Sequence, residues 1–218
     1  MRACVLFLVF TVLATAQTSR TIQAVGSATL QVTPDQASLD VGVVTTASSA
    51  QDSAAQNATQ TTAVINAVKA VLGANGTVQT QYYSVTPRYV ANSTSINGYT
   101  TYNTLRVITT DLASLGRLID AANGAGANSV GGLGFGLQDP DPHVQLALAA
   151  ATKQALSHAG AIAGGLGGKV GSVVSAQEGS SYAPIAAGGG AGVAATTTPV
   201  QTGTVNVYAN VTLVVLLQ

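Results

Sequence analysis

Gly98–Leu137, GYTTYNTLRVITTDLASLGRLIDAANGAGANSVGGLGFGL, reads as strand, helix, strand. Tyr99–Thr110 is rich in threonine, β-branched and aromatic side chains, which suit a pleated, half-buried surface. Asp111 stands at an N-cap position, and Leu112, Leu115, Ile119 and Ala122 follow at helical spacing, giving one apolar face. Asn123-Gly124 supplies a left-handed stop. Asn128–Leu137 then carries Val130, Leu133, Phe135 and Leu137, a second strand. Two strands joined through one helix are expected to run parallel, with a right-handed crossover.

Before this unit, Ile22, Ala24, Ala28, Leu30 and Val32 alternate with polar residues, as do Ala37, Leu39, Val41 and Val43. The short break Thr33-Pro34-Asp35 predicts that these two strands pair antiparallel. Gly26 interrupts the first apolar series, which marks a bulge or a close approach. Ser49-Ala50-Gln51-Asp52 has the form of a capping box. The stripe Ala54, Ala58, Thr61, Ile65, Val68 and Leu72 then predicts the buried face of a helix that Gly73 ends. Val78–Tyr89 is a strand with Pro87 at its edge or end, and the polar tip Asn92–Gly98 joins it to the opening unit as a long hairpin. Tyr82, Tyr83, Tyr89, Tyr99 and Tyr102, five of the seven tyrosines, fall on this hairpin. They read either as ordinary cross-strand pairing or as an interface, which tyrosine favours.

After the unit, Asp141 and Pro142 open a helix as N-cap and first helical residue, with Val144, Leu148, Ala151, Ala155 and Ile162 on its apolar face. Ala147, Ala151, Ala155 and Ala159 form a small-residue row that lets the helix lie close to its neighbour. Val170–Glu178 is a weak strand, and Gly179–Thr202 a low-complexity, mobile loop. Val205–Leu217 alternates so regularly that a central strand is expected. The predicted order is β-β-α-β-β-α-β-α-β-β.

Composition bounds the function. Residues 1–16, with Arg2, an apolar run over Ala3–Leu13 and Ala14-Thr15-Ala16, form an export signal whose apolar run is too short to span a bilayer. The single cysteine, Cys4, leaves with it, so the mature domain from Gln17 to Gln218 has no thiol chemistry. Eight basic and eight acidic residues make no basic patch for nucleic acid and no polybasic segment for anionic lipid. So weakly charged a surface offers little repulsion against self-association.

No catalytic constellation emerges. Asp139, Asp141 and His143 alternate like metal ligands, but a helix start accounts for them. His143 and His158 lie on one helix about 20 Å apart, so they share no site. Gly164–Lys169 (GGLGGK) lacks two residues of a phosphate loop and leaves a helix instead of opening one. Gly131–Gly136 lies within a strand, and no nucleophile elbow is present. Sequons occur at Asn57, Asn75, Asn92 and Asn210. An outer-membrane barrel is ruled out by three intervening helices.

From about Thr21 to Leu217 the chain resembles the SIMPL-domain family (formerly DUF541), which includes bacterial periplasmic immunogenic and outer-membrane antigen proteins. The resemblance rests on Gly98-Tyr99, Asp111-Leu112, Gly116, Ile119-Asp120, Gly126-Ala127-Asn128 and Phe135. Val25-Gly26, Pro34-Asp35-Gln36-Ala37, Asn57, Pro87 with Tyr89, Leu166-Gly167, and Pro199 with Gly203 support it. It implies an α+β domain with about three helices on a mainly antiparallel sheet, exported to the periplasm or cell surface. It also implies homo-oligomers, ring-forming in some members, and for some a link to oxidative-stress resistance. It carries over no catalytic residue and no cofactor. Lys153 is nearly the only charge on a third helix that the family usually charges heavily. The expectation is a non-enzymatic, self-associating envelope protein without nucleic-acid or membrane-spanning contacts. The alternative is a periplasmic module binding a small apolar or glycan ligand through the hairpin tyrosines.

Overall fold

The computed structural model describes residues 19–183, 185–186 and 198–218. The expected export signal lies outside them. The chain runs β1 (Thr21–Val32), β2 (Gln36–Ala47), α1 (Ala50–Leu72), β3 (Gly76–Tyr89), β4 (Ile96–Thr109), a 3-10 turn (Leu112–Ser114) and α2 (Leu115–Gly124). It continues with β5 (Ser129–Gly136), α3 (Asp141–Gly165), β6 (Val170–Ala183), the short β7 (Ile185–Ala186) and β8 (Val205–Leu217). This is an α+β fold in the predicted order, with β7 added.

The strands form two antiparallel sheets, β1-β8-β6 and β3-β4-β2-β5-β7. The predicted pairing of β1 with β2 is not made. Pro34 has no N–H, and Asp35 is drawn away from a hairpin: its N–H donates to Gly136 O at 3.1 Å. Its Oδ1 accepts from Gln138 N at 2.7 Å, lacing the β1–β2 and β5–α3 connections together. β1 pairs instead with β8 along its whole length, Thr21↔Leu216 to Val32↔Val205. β8 is the central strand expected from its alternation. β4 and β5 are parallel to each other as predicted, but β2 lies between them, antiparallel to both. β6 continues through Gly179–Ala183, residues expected in the loop, because β8 offers a partner for each.

The helix starts follow the sequence with shifts. Ser49 Oγ accepts from Asp52 N at 3.0 Å, as the capping box predicts. Asp111 is not a side-chain cap; a 3-10 turn follows it, and Ser114 Oγ donates to Asp111 O at 2.8 Å. The positive φ that ends α2 falls at Gly126, two residues past the expected Gly124. Asp141 is not the cap of α3 but its first residue: Pro140 stands at the N-cap without a side-chain cap bond, and Asp139 Oδ1, just before it, accepts from Asp141 N at 3.1 Å.

Each sheet buries one face. α1 lies over β2, β3 and β4, with α2 against α1. Leu39, Val41, Val43, Leu105, Val107, Leu115, Leu118 and Phe135 meet Val64 and Val68 in this core. Burial at the start of α1 departs from the apolar stripe: Ser53 and Asn57 face inward and Ala58 outward. α3 lies over β1 and β8, burying Ala147, Ala151, Ala155, Ala159 and Ala163. Ile162, expected on that face, is largely exposed. A Cβ on Gly26 would sit 2.0 Å from Ala151 O and 2.4 Å from Ala155 N, so the glycine and the alanine row together set how close α3 lies.

Candidate functional site

The β3–β4 hairpin carries the residues predicted as an interface. Strand register sorts them onto two faces, because successive side chains alternate. Tyr82 is opposite Thr104 and Ser84 opposite Tyr102, so Tyr82 and Tyr102 share the open face of the sheet. Tyr83 is opposite Asn103 and Tyr99 opposite Pro87, on the face that bears α1. Tyr89 pairs with Ile96 near the tip. Tyr82, Tyr83 and Tyr89 are each more than half exposed, Tyr102 is exposed, and Tyr99 is half-buried. The structure therefore brings Tyr82 and Tyr102 together and sets Tyr83 and Tyr99 apart from them.

What the sequence did not reveal is that β3 is a bare edge. It has fourteen residues, and its far side pairs with no strand among the described residues. No described side chain bonds to its outward backbone groups. The β1 edge of the other sheet is treated differently. Gln154 Oε1 accepts from Ser27 N at 2.6 Å, and His158 Nδ1 donates to Val25 O at 2.7 Å. These two α3 side chains, one turn apart, occupy backbone groups that would otherwise be open to another strand. His158 thus acts in packing, through its Nδ1–H tautomer or its cation. Along β3 the only charge is Arg88. Long edges with little charge and no described cover are the ones that accept further strands.

On the hairpin, Ser84 Oγ and Asn103 Oδ1 are buried without a described partner, whereas the buried polar groups of α1 are bonded internally. Asn57, fully buried, donates Nδ2 to Val43 O at 2.9 Å and accepts from Thr61 Oγ1 at 3.2 Å. Ser53 and Thr101 share a hydroxyl contact of 2.8 Å, and Ser53 Oγ also donates to Thr45 O. Arg106 donates Nε and Nη2 to the two carboxylate oxygens of Asp40, the one ion pair among the described residues. A hollow of about 370 Å³ beside Asn75 and Thr110 is open, and Asn75 O there already accepts from Thr110 N, Thr110 Oγ1 and Thr109 Oγ1. Asp139 and Asp141 form the helix start, and no three His, Cys, Asp or Glu side chains gather among the described residues. GGLGGK ends α3 and turns into β6, with Lys169 and Gln218 exchanging backbone bonds. No described helix is long and apolar enough to cross a membrane.

The residues behind the family resemblance are architectural. Asn128 grips Val44 with both ends of its amide, Oδ1 from Val44 N at 2.8 Å and Nδ2 to Val44 O at 2.7 Å. Asp120 accepts from the N–H and hydroxyl of Thr198, pinning the approach to β8 against α2. Gly126 O accepts from Gln60 Nε2, and Gly98 adopts φ +140° against Ala47 O. Fold and side chains together define a two-sheet α+β domain whose distinguishing residues hold backbone. The chain matches the SIMPL family, described as protein of unknown function (DUF541), over residues 22–215. It belongs to that family. No curated protein matches it.

Proposed function

We propose that this is a non-enzymatic, exported cell-envelope protein that self-associates through the bare edge of β3 and contributes to envelope integrity or oxidative-stress tolerance. The observation that carries the reading is the contrast between the two edges: Gln154 and His158 occupy backbone groups of β1, whereas no described strand or side chain occupies the outer edge of β3. Antiparallel pairing of β3 with its copy about Tyr82 places Arg88 opposite Gly76, so no like charges meet. The exposed tyrosines on both faces then add cross-strand contacts. The leader at residues 1–16 supports export.

Light scattering on the mature chain tests the association. Wild type is expected to form dimers or larger species in the micromolar range. Gln81→Lys with Tyr83→Lys, which guards the edge with charge, is expected to be monomeric with little change in Tm. A wild-type protein that stays monomeric sinks the reading.

A further inference from the structure

α3 covers one face of the β1-β8-β6 sheet, and no described element covers the other. Register lines up three rows on that open face: Ser27 with Asn210, Thr29 with Tyr208, and Gln31 with Asn206. Rows on one face repeat about every 7 Å along the strands, and neighbouring strands lie about 5 Å apart. Ser27, Thr29, Gln31 and Asn206 are exposed, Tyr208 is 40% exposed, and Asn210 is half-buried. None of the six side chains hydrogen bonds to another described group. The Asn210 amide lies over Gly179 on β6, where a Cβ would come within 2.5 Å of Asn210 Oδ1.

The chemistry of these rows is uniform. Carboxamides and hydroxyls donate and accept at once, and one aromatic ring stands on the central strand. No side chain in the three rows carries a charge near neutral pH. A polyanion needs cations to offset its charge, and a peptide with ionised groups needs partners for them; this face offers neither. A neutral sugar chain fits on both counts. Its hydroxyls exchange hydrogen bonds with amides and hydroxyls, and the C–H face of a ring lies on tyrosine. The open face of the other sheet lacks this character because the Asp40–Arg106 pair stands in its middle. We infer that the open face of β1-β8-β6, centred on Tyr208, binds a neutral glycan. The inference is independent of self-association through β3.

Calorimetry of the mature chain with cellohexaose and chitohexaose tests it, with an anionic oligogalacturonate as the control. At least one neutral oligosaccharide is expected to bind, with an affinity unchanged by added salt. Tyr208→Ala is expected to weaken binding by roughly tenfold or more. Thr29→Arg, which places a long charged side chain beside Tyr208, is expected to do the same without removing the ring. The edge variant Tyr83→Lys is expected to bind as wild type. Three results overturn the inference: no binding of either neutral ligand, wild-type affinity in both face variants, or preferential binding of the anionic control.

Discussion

The two helix–sheet layers of this protein hold together by opposite means. α3 approaches β1 and β8 because atoms are missing: Gly26 has no side chain, and the facing helix positions are alanines. α1 meets β2 and β4 through atoms that are present: Ser53, Asn57 and Thr61 form a buried polar seam that reaches Thr45, Val43 and Thr101. A layer built on absence is sensitive to additions, since backbone cannot swing aside. One built on hydrogen bonds is sensitive to deletions, since the groups left behind are buried without partners.

The sharpest way to break the comparison is to add to the first layer. Gly26→Val puts methyl groups where Ala151 O and Ala155 N already stand, and is expected to cost about 3 kcal/mol or more, read from the urea midpoint. A cost under about 1 kcal/mol would mean that α3 can lift away and that closeness is not what holds it. Deletion from the second layer comes next. Asn57→Ala strips Val43 O and Thr61 Oγ1 of a partner and leaves a void, for an expected loss of about 2–3 kcal/mol by the same measurement. The smallest effect on stability is expected from Gln154→Ala with His158→Ala, about 1 kcal/mol, because both side chains are exposed. Their removal uncovers the β1 edge, so the double variant should show larger species by light scattering than wild type does. Unchanged size would mean the edge is protected by the bulk of α3 alone.

Much of the first layer was legible. Gly26 in an apolar series and alanines every fourth residue each announce a close approach, and the structure joins them. The strand–helix–strand unit was legible too, because Leu115, Ile119, Ala122 and Phe135 keep their periods and end in the core. The polar seam was hidden for a physical reason. Hydropathy ranks Ala54 and Ala58 above Ser53 and Asn57, whereas the inward face is decided by carbonyls on β2 and by Thr101, more than forty residues away on β4. Long-range competition likewise defeated the β1–β2 pairing: a short connector reads as a hairpin, and nothing near it signals that β8 is the better partner. The hairpin tyrosines were found as a group, but whether β3 has a neighbour on its far side is a property of the whole sheet.

The burial of Asn57 has a consequence for where this protein can be made. Asn57-Ala58-Thr59 is a sequon, and its acceptor amide is sealed beneath α1 with no exposed surface. Attachment of a sugar there and closure of α1 on β2 exclude one another, since the modified side chain has no room beside Val43 O and Thr101 O. In a secretory pathway that modifies sequons as the chain emerges, the two events race, and each chain modified at Asn57 is lost to folding. Asn75 and Asn92, on exposed turns, carry no such conflict.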